Sequence, residues 1–261
     1  MADGNFIQSN LGEDGVLELK LSFGNTDNAF TPDAFQALQS TLESFTADDA
    51  VRSVLRGSSA EGFFSNGLSP AAVMNKSESE IAGLIGYFFD CLHLLYFFPV
   101  PVITAMKGHA FGYGSMLAIV SDYRYIADKG ARMSFPEVNL GVGLPAFVAM
   151  VLTDLVGAVV ARDLLLTGKA VKGGEAVDIK LADHALPAEE VEGKALAHAR
   201  KLARASRHAV RSIKAATRYR YATIAEKLKA DDIADTLSVI TSPDAKEGFA
   251  ALTEKRRPKF A

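Results

Sequence analysis

Two short glycine-bearing segments are the parts of this sequence best suited to hold a reacting oxygen atom. The first, FFSNGLS at 63–69, and the second, GHAFGYG at 108–114, each follow a strand-like apolar stretch. Glycine lets the backbone turn sharply and approach a ligand closely, and the second segment leads into a helix whose first N–H groups are free. Two such turns facing each other would bind a carbonyl oxygen that acquires negative charge. Taken singly, each segment could equally be a tight connection.

A glutamate and a methionine occupy positions on which acid–base chemistry would depend. Glu137 lies in SFPEVNLGVGLP, and Met116 lies two residues past the last glycine of the second turn. A carboxylate beside such turns can remove and return a proton, which a methionine cannot do. The structural alternative is that Glu137 caps a helix or forms a salt bridge and that Met116 packs in the core. His109 and Asp122 are at least as well explained as structural residues.

The surrounding elements indicate an α/β core followed by a helical region. Apolar runs predict strands at 15–23, 51–56, 102–106 and 123–127, and Thr31-Pro32 predicts a helix start. We therefore expect class α/β, with residues 1–200 as the core that holds the site and residues 201–261 as a helical C-terminal region. The predicted helices are 78–98, 115–120, 156–166, 171–178, 188–219, 224–239 and 243–257.

Composition argues against several classes of protein. The 261 residues carry a formal net charge of −3 without a large basic block, so nucleic acid is not an expected partner. The most apolar stretch, 81–106, is interrupted by Asp90, His93 and two prolines, which favours a buried helix and strand over a membrane span. Cys91, the single cysteine, can form no intramolecular disulfide. No metal-ligand cluster or targeting pattern is visible, so we expect a cytoplasmic protein without a metal.

Over nearly its whole length, the sequence resembles the enoyl-CoA hydratase/isomerase (crotonase) family. The first turn fits the pattern F-(S/A/C)-x-G-x-(D/S), and PVITAMKGHAFGYGSMLAIVSDYRYIAD fits the pattern around the second turn. Three further segments fit later parts of the family pattern, the first with one position shifted: SFPEVNLGVGLP, LLLTGKAVKGGEAVDIKLAD and DAKEGFAALTEKRRPKF. The five matches occur in the family's order and spacing.

The resemblance implies a fold, a substrate class and a set of site residues. The fold is a crotonase-like spiral of ββα units with a helical C-terminal trimerisation region, so a homotrimer or homohexamer is expected. The substrate is an acyl-CoA thioester, with coenzyme A as part of the substrate and no separate cofactor. The amides of Leu68 and Tyr113 would form an oxyanion hole beside the catalytic Glu137. The residues implied in substrate or coenzyme A binding are Ser65, Asn66, Gly67, Leu68, Gly112, Met116 and Lys255, the last in the terminal helix.

Met116 is the position at which the sequence departs from the hydratases it resembles. Those carry a glutamate at each of the positions held here by Met116 and Glu137, whereas the mitochondrial type of Δ3,Δ2-enoyl-CoA isomerase has an apolar residue at the first. Hydration needs both a base and an acid. Moving a double bond from C3 to C2 of the acyl chain needs only one proton, carried from C2 to C4 of that chain. We therefore expect an isomerase of fatty acid metabolism. The alternatives are a hydratase, thioester hydrolysis, decarboxylation, or a catalytically weak homologue that binds coenzyme A.

Two unrelated enzyme classes fit the sequence less well. A dinucleotide-binding oxidoreductase would need a third glycine after Gly112 and Gly114, and Leu117 occupies its place. A serine hydrolase would hold Ser65 or Ser115 within G-x-S-x-G, and neither residue has those neighbours.

Overall fold

Two β-sheets lie at the centre of the molecule, which the computed structural model describes for residues 6–260. Neighbouring strands are parallel, except for the first pair of the larger sheet and the last pair of the smaller one. In order across the larger sheet, the strands are β1 (Ile7–Leu11), β2 (Val16–Leu21), β3 (Ser53–Ser58), β5 (Val102–Met106), β7 (Tyr123–Ala127) and β10 (His184–Leu186). Those of the smaller sheet are β4 (Phe63–Ser65), β6 (His109–Phe111), β8 (Arg132–Ser134) and β9 (Val171–Lys172).

Three successive units of the chain each contribute one strand to the larger sheet, one strand to the smaller sheet and then a helix. Strand β3 of the larger sheet is followed by β4 of the smaller sheet and then by helix α2 (Glu78–Tyr96). The order recurs with β5, β6 and α3 (Tyr113–Ile119), and again with β7, β8 and α4 (Ala146–Val156). Every residue of β5 is buried, as expected for a parallel strand covered on both faces. These ββα units confirm the predicted α/β class.

Several helices begin where the local sequence provides a side-chain cap. The hydroxyl of Thr31 accepts a hydrogen bond from the Ala34 N–H at 3.3 Å, which confirms the predicted helix start. Ser77 and Glu80 form a capping box at the start of α2. The helices outside the three ββα units are α1 (Pro32–Thr46), α5 (Ala158–Thr167), α6 (Gly173–Asp178), α7 (Ala188–Ala203), α8 (Arg207–Thr217), α9 (Tyr219–Ala222), α10 (Ala225–Ile240) and α11 (Pro243–Thr253).

Some predicted helix bounds are wrong. The helix predicted over 188–219 is broken after α7, because the Ser206 side chain accepts the Ala209 N–H and starts α8. Gly157, with φ +81°, separates α4 from α5 where the sequence predicted a helix beginning at 156. The predicted boundary between core and C-terminal region, after residue 200, falls inside α7. The strands of the smaller sheet were not predicted because two or three residues carry too little pattern.

The C-terminal helices are fastened to the α/β core. Asp232 of α10 is 2% exposed and accepts the N–H groups of Ala146 and Phe147 at 2.7 and 2.9 Å, which caps the start of α4. A Cβ atom on Gly248 of α11 would lie 2.1 Å from the carbonyl oxygen of Leu140, so glycine is required where these backbones touch. Within residues 6–260, no helix is both long enough and apolar enough to cross a membrane.

Candidate active site

Three neighbouring strands of the smaller sheet end at one edge, where the chain segments after them form the candidate site. Strands β4, β6 and β8 are parallel, with Ser65 opposite Ala110 and Phe111 opposite Ser134. Because the carboxyl ends of parallel strands lie at the same edge of a sheet, the segments 66–68, 112–113 and 135–137 come together there. The predicted turns are therefore shorter than the sequence indicated, because residues 63–65 and 109–111 form strands β4 and β6. The turn residues that follow these strands, and the segment carrying Glu137 after β8, meet at this edge.

The two turns touch each other through their backbones. A Cβ atom on Gly67, whose φ is +85°, would lie 2.7 Å from the Phe111 carbonyl oxygen and 3.0 Å from the Tyr113 nitrogen. One on Gly114 would lie 2.4 Å from the Ser65 carbonyl oxygen. Such distances are below van der Waals contact, so side chains at 67 and 114 would push the turns apart. Glycine is needed at both positions because of this close approach.

The geometry leaves the amides of Leu68 and Tyr113 free to bind an oxygen atom. Phe30 donates its N–H to the Gly67 carbonyl at 2.7 Å and accepts the N–H of Ser69 at 2.9 Å. Since extended residues alternate the direction of their amides, the Leu68 N–H points away from Phe30. Tyr113 is the first residue of α3, where a helix leaves its N–H without an intrahelical partner. Neither N–H has an acceptor within the described part of the chain.

The side chain of Tyr113 anchors the second turn rather than facing a ligand. The residue is 2% exposed, and its hydroxyl donates to the Phe88 carbonyl at 2.9 Å. Its ring packs against Phe30, Phe35 and Phe88, with centroid separations of 5.0, 4.8 and 4.3 Å. Burial raises the pKa of this phenol well above its usual value, so it stays neutral. The aromatic cluster thereby fixes the backbone that carries the free amide.

Glu137 opens a short 3₁₀ helix, Glu137–Leu140, and directs its carboxyl group towards the second turn. A Cβ atom on Gly112 would lie 3.3 Å from the Glu137 Oε1 atom. The Oε2 atom is buried and has no hydrogen-bond partner in residues 6–260. Burial of this carboxyl group raises its pKa to about 7. A carboxyl group with such a pKa can both take up and release a proton near neutral pH.

A cavity of about 710 Å³ opens beside the turns and Glu137. Its wall is mostly apolar and includes Met116, which is 3% exposed. Asp27 is the other carboxylate of the wall among the described residues, and its side chain already accepts hydrogen bonds from the Asn66 amide and the Ala29 N–H. The available acid–base group of the cavity is therefore Glu137.

The structure brings most, but not all, of the predicted site residues to this cavity. Six of them line its wall: Asn66, Leu68, Gly112, Tyr113, Met116 and Glu137. Ser65 is fully buried behind the first turn, where its hydroxyl donates to the Asn28 carbonyl at 2.7 Å and accepts the Gly67 N–H at 3.1 Å. Ser65 and Gly67 thus shape the turn without lining the cavity.

The sequence predicted Lys255 within the terminal helix, but in the structure it lies beyond the end of that helix. Helix α11 ends at Thr253, and Lys255 comes after it with φ +55°, exposed to solvent. The helix stops two residues before the lysine, whose left-handed backbone conformation is incompatible with continuing it. Lys255 does not line the cavity, although Leu252 and Thr253 at the end of α11 do.

Asp122 has the structural role expected for it. Its carboxylate accepts hydrogen bonds from Lys214 and Arg218, both at 2.6 Å, and from the Val102 N–H at 2.8 Å. These contacts fasten α8 to the start of β5, away from the cavity. His109 is partly buried and stacks on Phe111, with 5.1 Å between ring centroids, but it does not line the cavity. No group of three metal-ligating side chains occurs in residues 6–260.

The part of the site that the sequence did not reveal comes from the C-terminal helices. Thr236 and Ile240 of α10, together with Phe249, Leu252 and Thr253 of α11, form one side of the cavity wall. Their three- and four-residue spacings indicate helix faces. Such spacing cannot distinguish a face that packs on the core from one that borders a substrate cavity.

Comparisons with known proteins identify the family and the fold of the chain. The model of the family described as "Enoyl-CoA hydratase/isomerase" matches residues 12–261. Mouse mitochondrial "enoyl-CoA hydratase domain-containing protein 2" is 31% identical over 252 residues, 94% of this chain and 84% of that protein. "Enoyl-CoA delta isomerase 3" of Arabidopsis thaliana is 31% identical over 175 residues, 66% of this chain and 74% of that protein. The solved human mitochondrial delta3-delta2-enoyl-CoA isomerase superposes with a TM-score of 0.89 at 24% identity, covering 96% of this chain and 97% of that one.

Proposed function

The chain belongs to the enoyl-CoA hydratase/isomerase family, and we propose that it is the isomerase type, which moves the double bond of a 3-enoyl-CoA thioester to C2. Membership confirms the family inferred from the sequence motifs and, with the superposed structures, the crotonase-like fold. The observation that carries the proposal is the contrast between two side chains of the cavity. Glu137 is a carboxylate with an unpartnered, buried oxygen among the described residues, whereas Met116 is apolar.

The proposed reaction needs one proton carrier and one site for negative charge. Ionised Glu137 removes a proton from C2 of the 3-enoyl thioester, and the electron pair is delocalised onto the thioester oxygen. The N–H groups of Leu68 and Tyr113 stabilise that oxygen in the dienolate. Protonated Glu137 then donates the same proton to C4, which gives the trans-2-enoyl thioester and regenerates the carboxylate.

Met116 supports isomerisation over hydration. Adding water to the product requires a group to activate the water and a second group to protonate C2. The methionine offers neither, and its apolar side chain helps to keep water from the product. Glu78, Glu80 and Asp90, the carboxylates of α2, do not line the cavity. Glu80 forms the capping box of α2, and Asp90 pairs with Lys229.

We further propose how the rest of the substrate binds. Coenzyme A is part of the substrate, its pantetheine arm runs along the backbone of the first turn past Asn66, and Lys255 supplies charge to its phosphates. Replacing Lys255 with alanine should weaken coenzyme A binding by about 1 kcal/mol, the scale of an exposed charge-assisted contact. Calorimetry would measure this loss. If no coenzyme A species bound even the unmodified protein, the substrate class would be wrong.

We propose assembly as a homotrimer or homohexamer, in line with the helical C-terminal region. A cytoplasmic location stays a prediction, since similar proteins include some named as mitochondrial.

The decisive experiment compares isomerase and hydratase rates of the unmodified protein on acyl chains of matched length. We expect isomerisation to be the faster. The informative variant is Met116→Glu, which places a second carboxylate beside Glu137 and should add measurable hydration. Met116→Gln is its matched control, since it has similar size and polarity without the charge. Hydration faster than isomerisation by about tenfold or more in the unmodified protein, a difference of about 1.4 kcal/mol in activation free energy, would contradict the one-carboxylate mechanism.

A further inference from the structure

A second cavity adjoins the first. It encloses about 590 Å³, and the two cavities share Ile240 and Phe249 as lining residues. These side chains are 6% and 5% exposed, so they are packed rather than mobile surface groups. The wall between the two cavities therefore includes one side chain from α10 and one from α11, and we call this pair the partition.

Helix α2 borders both cavities and gives the direction from one to the other. Phe88 packs on the Tyr113 ring beside the first cavity, Leu84 and Ile85 line the same cavity one turn earlier, and Ile81 lines the second. Ile81 and Phe88 are seven positions apart in the helix, which corresponds to about 10 Å at the rise of an α-helix. A chain that started at the catalytic turns and ran along α2 would thus reach the partition.

The other two helices show the same order. Along α11, Leu252 lines the first cavity, Phe249 lines both, and Lys246 lines the second. Along α10, Thr236 lines the first cavity and Ile240 lines both, and Thr241 directly after it lines the second. Three helices therefore run from one cavity to the other, with the partition between them.

The second cavity has an apolar side suited to hydrocarbon. Val73 and Ile81 are buried, and Met74 is partly buried beside them. Four polar side chains of the lining are exposed to solvent, and the fifth, Thr241, is partly buried; the four are Asn75, Lys76, Glu78 and Lys246. Methylene groups placed against the apolar side would be removed from contact with water, which favours binding.

We propose that Phe249 and Ile240 set the upper limit on acyl chain length, and that the second cavity accepts the distal methylenes of a longer chain once the partition is opened. This inference rests on the proposed acyl-CoA substrate and extends it to a residue-level rule for chain length. In the unmodified protein, affinity rises with each added methylene until the chain meets the Phe249 ring and then stops rising.

The test measures binding of saturated acyl-CoA thioesters of increasing even chain length by calorimetry, with and without Phe249→Ala. Each further buried methylene is worth roughly fourfold in affinity, so two more carbons should give the variant roughly a tenfold gain or more beyond the native limit. Ile240→Ala opens the same partition from α10 and serves if Phe249→Ala folds poorly. Circular dichroism identifies the folded variants.

Two controls separate an opened partition from a merely enlarged site. Leu252→Ala shortens a side chain of the first cavity only and should change affinity for all chains by a similar factor, without moving the limit. Adding Thr241→Phe to Phe249→Ala refills the second cavity and should restore the native limit. The proposal is overturned if folded Phe249→Ala and Ile240→Ala keep the native chain-length profile, or if the unmodified protein shows no limit. If affinity depends on acyl chain length as expected but no isomerisation occurs, the proposed reaction is refuted. The proposal that the partition limits chain length would still hold.

Discussion

At the residue scale, the burial that makes Glu137 a candidate base also gives it a characteristic pH dependence. Removal of the carboxyl group from water raises its pKa to about 7, although a hydrogen bond with its own backbone opposes that effect, and its buried Oε2 atom has no partner in the described residues. The group is therefore partly protonated at neutral pH. The same feature thus bears on both the rate of the reaction and the stability of the fold.

The first prediction concerns the pH dependence of isomerisation. Since the base must be ionised, kcat/KM should rise with pH through about 7 and level off above it. Initial rates in a series of buffers at constant ionic strength would measure this profile. A plateau extending unchanged down to pH 5 would show that the essential group has an ordinary carboxyl pKa and would count against Glu137 as described.

The second prediction concerns Glu137→Gln, which keeps the size of the side chain but removes its charge and its basicity. Isomerase activity should fall by roughly a hundredfold to ten-thousandfold, while acyl-CoA binding persists through the backbone amides. Because the folded-state pKa lies above its ordinary value of 4.5, ionisation destabilises the fold as pH rises from about 4.5 through about 7. The variant should therefore be more stable than the unmodified protein at pH 8 by about 1–3 kcal/mol.

Denaturant unfolding at pH 8 and pH 4 checks the stability part of this prediction. At pH 4 both proteins carry a neutral side chain at position 137, so the difference should nearly vanish. A variant that is less stable at pH 8 would show that the carboxylate has a stabilising partner in solution.

At the scale of elements, the site depends on backbone contact between the first turn and the start of α3. The contact involves Gly67 and Gly114, where a Cβ atom would lie 2.7 Å from the Phe111 oxygen and 2.4 Å from the Ser65 oxygen. Ser65, Phe30 and the Tyr113 ring hold these backbones from behind. The direction of the two free amides is thus a property of packed elements, not of either turn alone.

The third prediction is that Gly114→Ala separates the two turns. The added methyl group must displace the Ser65 carbonyl, which moves the Leu68 and Tyr113 amides apart. Loss of one such donor typically lowers kcat by about a hundredfold to a thousandfold, and we expect a fall of this size with a smaller effect on KM. Steady-state kinetics would measure both constants.

Gly83→Ala in α2 is the matched control for that change. A Cβ atom at Gly83 has no neighbour within 4 Å, and the residue is exposed within a helix, where alanine is favoured by about 1 kcal/mol. Unchanged kinetics and slightly higher stability are expected. Equal kinetic losses in both variants would mean that the effect at 114 does not arise from the contact with Ser65.

At the scale of the whole molecule, the C-terminal helices complete the cavity, and α5 leaves apolar side chains on the outside. Val159 and Leu166 of α5 are 68% and 69% exposed, and their seven-residue spacing puts them on one face of the helix. Exposed apolar side chains grouped in this way are typical of a surface that another subunit covers. Helix α5 contacts the short helix that begins at Glu137, so assembly would support the site.

The fourth prediction is a trimer, or a dimer of trimers, at micromolar concentration, because closed symmetry is the rule for such enzymes. The double variant Val159→Asp and Leu166→Asp should shift the protein towards smaller species, since burying unpaired carboxylates at an interface is unfavourable. Light scattering coupled to size-exclusion chromatography measures the mass of both proteins. A fully active monomer would contradict this prediction.

The sequence by itself determined the family, the α/β class and the residues that could take part in a reaction. The glycine turns, Glu137 and Met116 lie in continuous segments whose residue types and spacing are visible without coordinates. Helix starts such as Thr31-Pro32 were predictable for the same reason, since capping involves residues three apart.

Only the tertiary structure decided which of these residues meet. The strands that align the three site segments are three residues long, and their pairing joins positions that are distant in the chain. Ser65 supports the first turn, and Lys255 lies beyond the end of α11. Helices α10 and α11 form one wall of the cavity. Such outcomes depend on packing between remote segments and on the burial it produces, which also raises the pKa of Glu137. A local sequence pattern contains neither the remote neighbours nor the degree of burial.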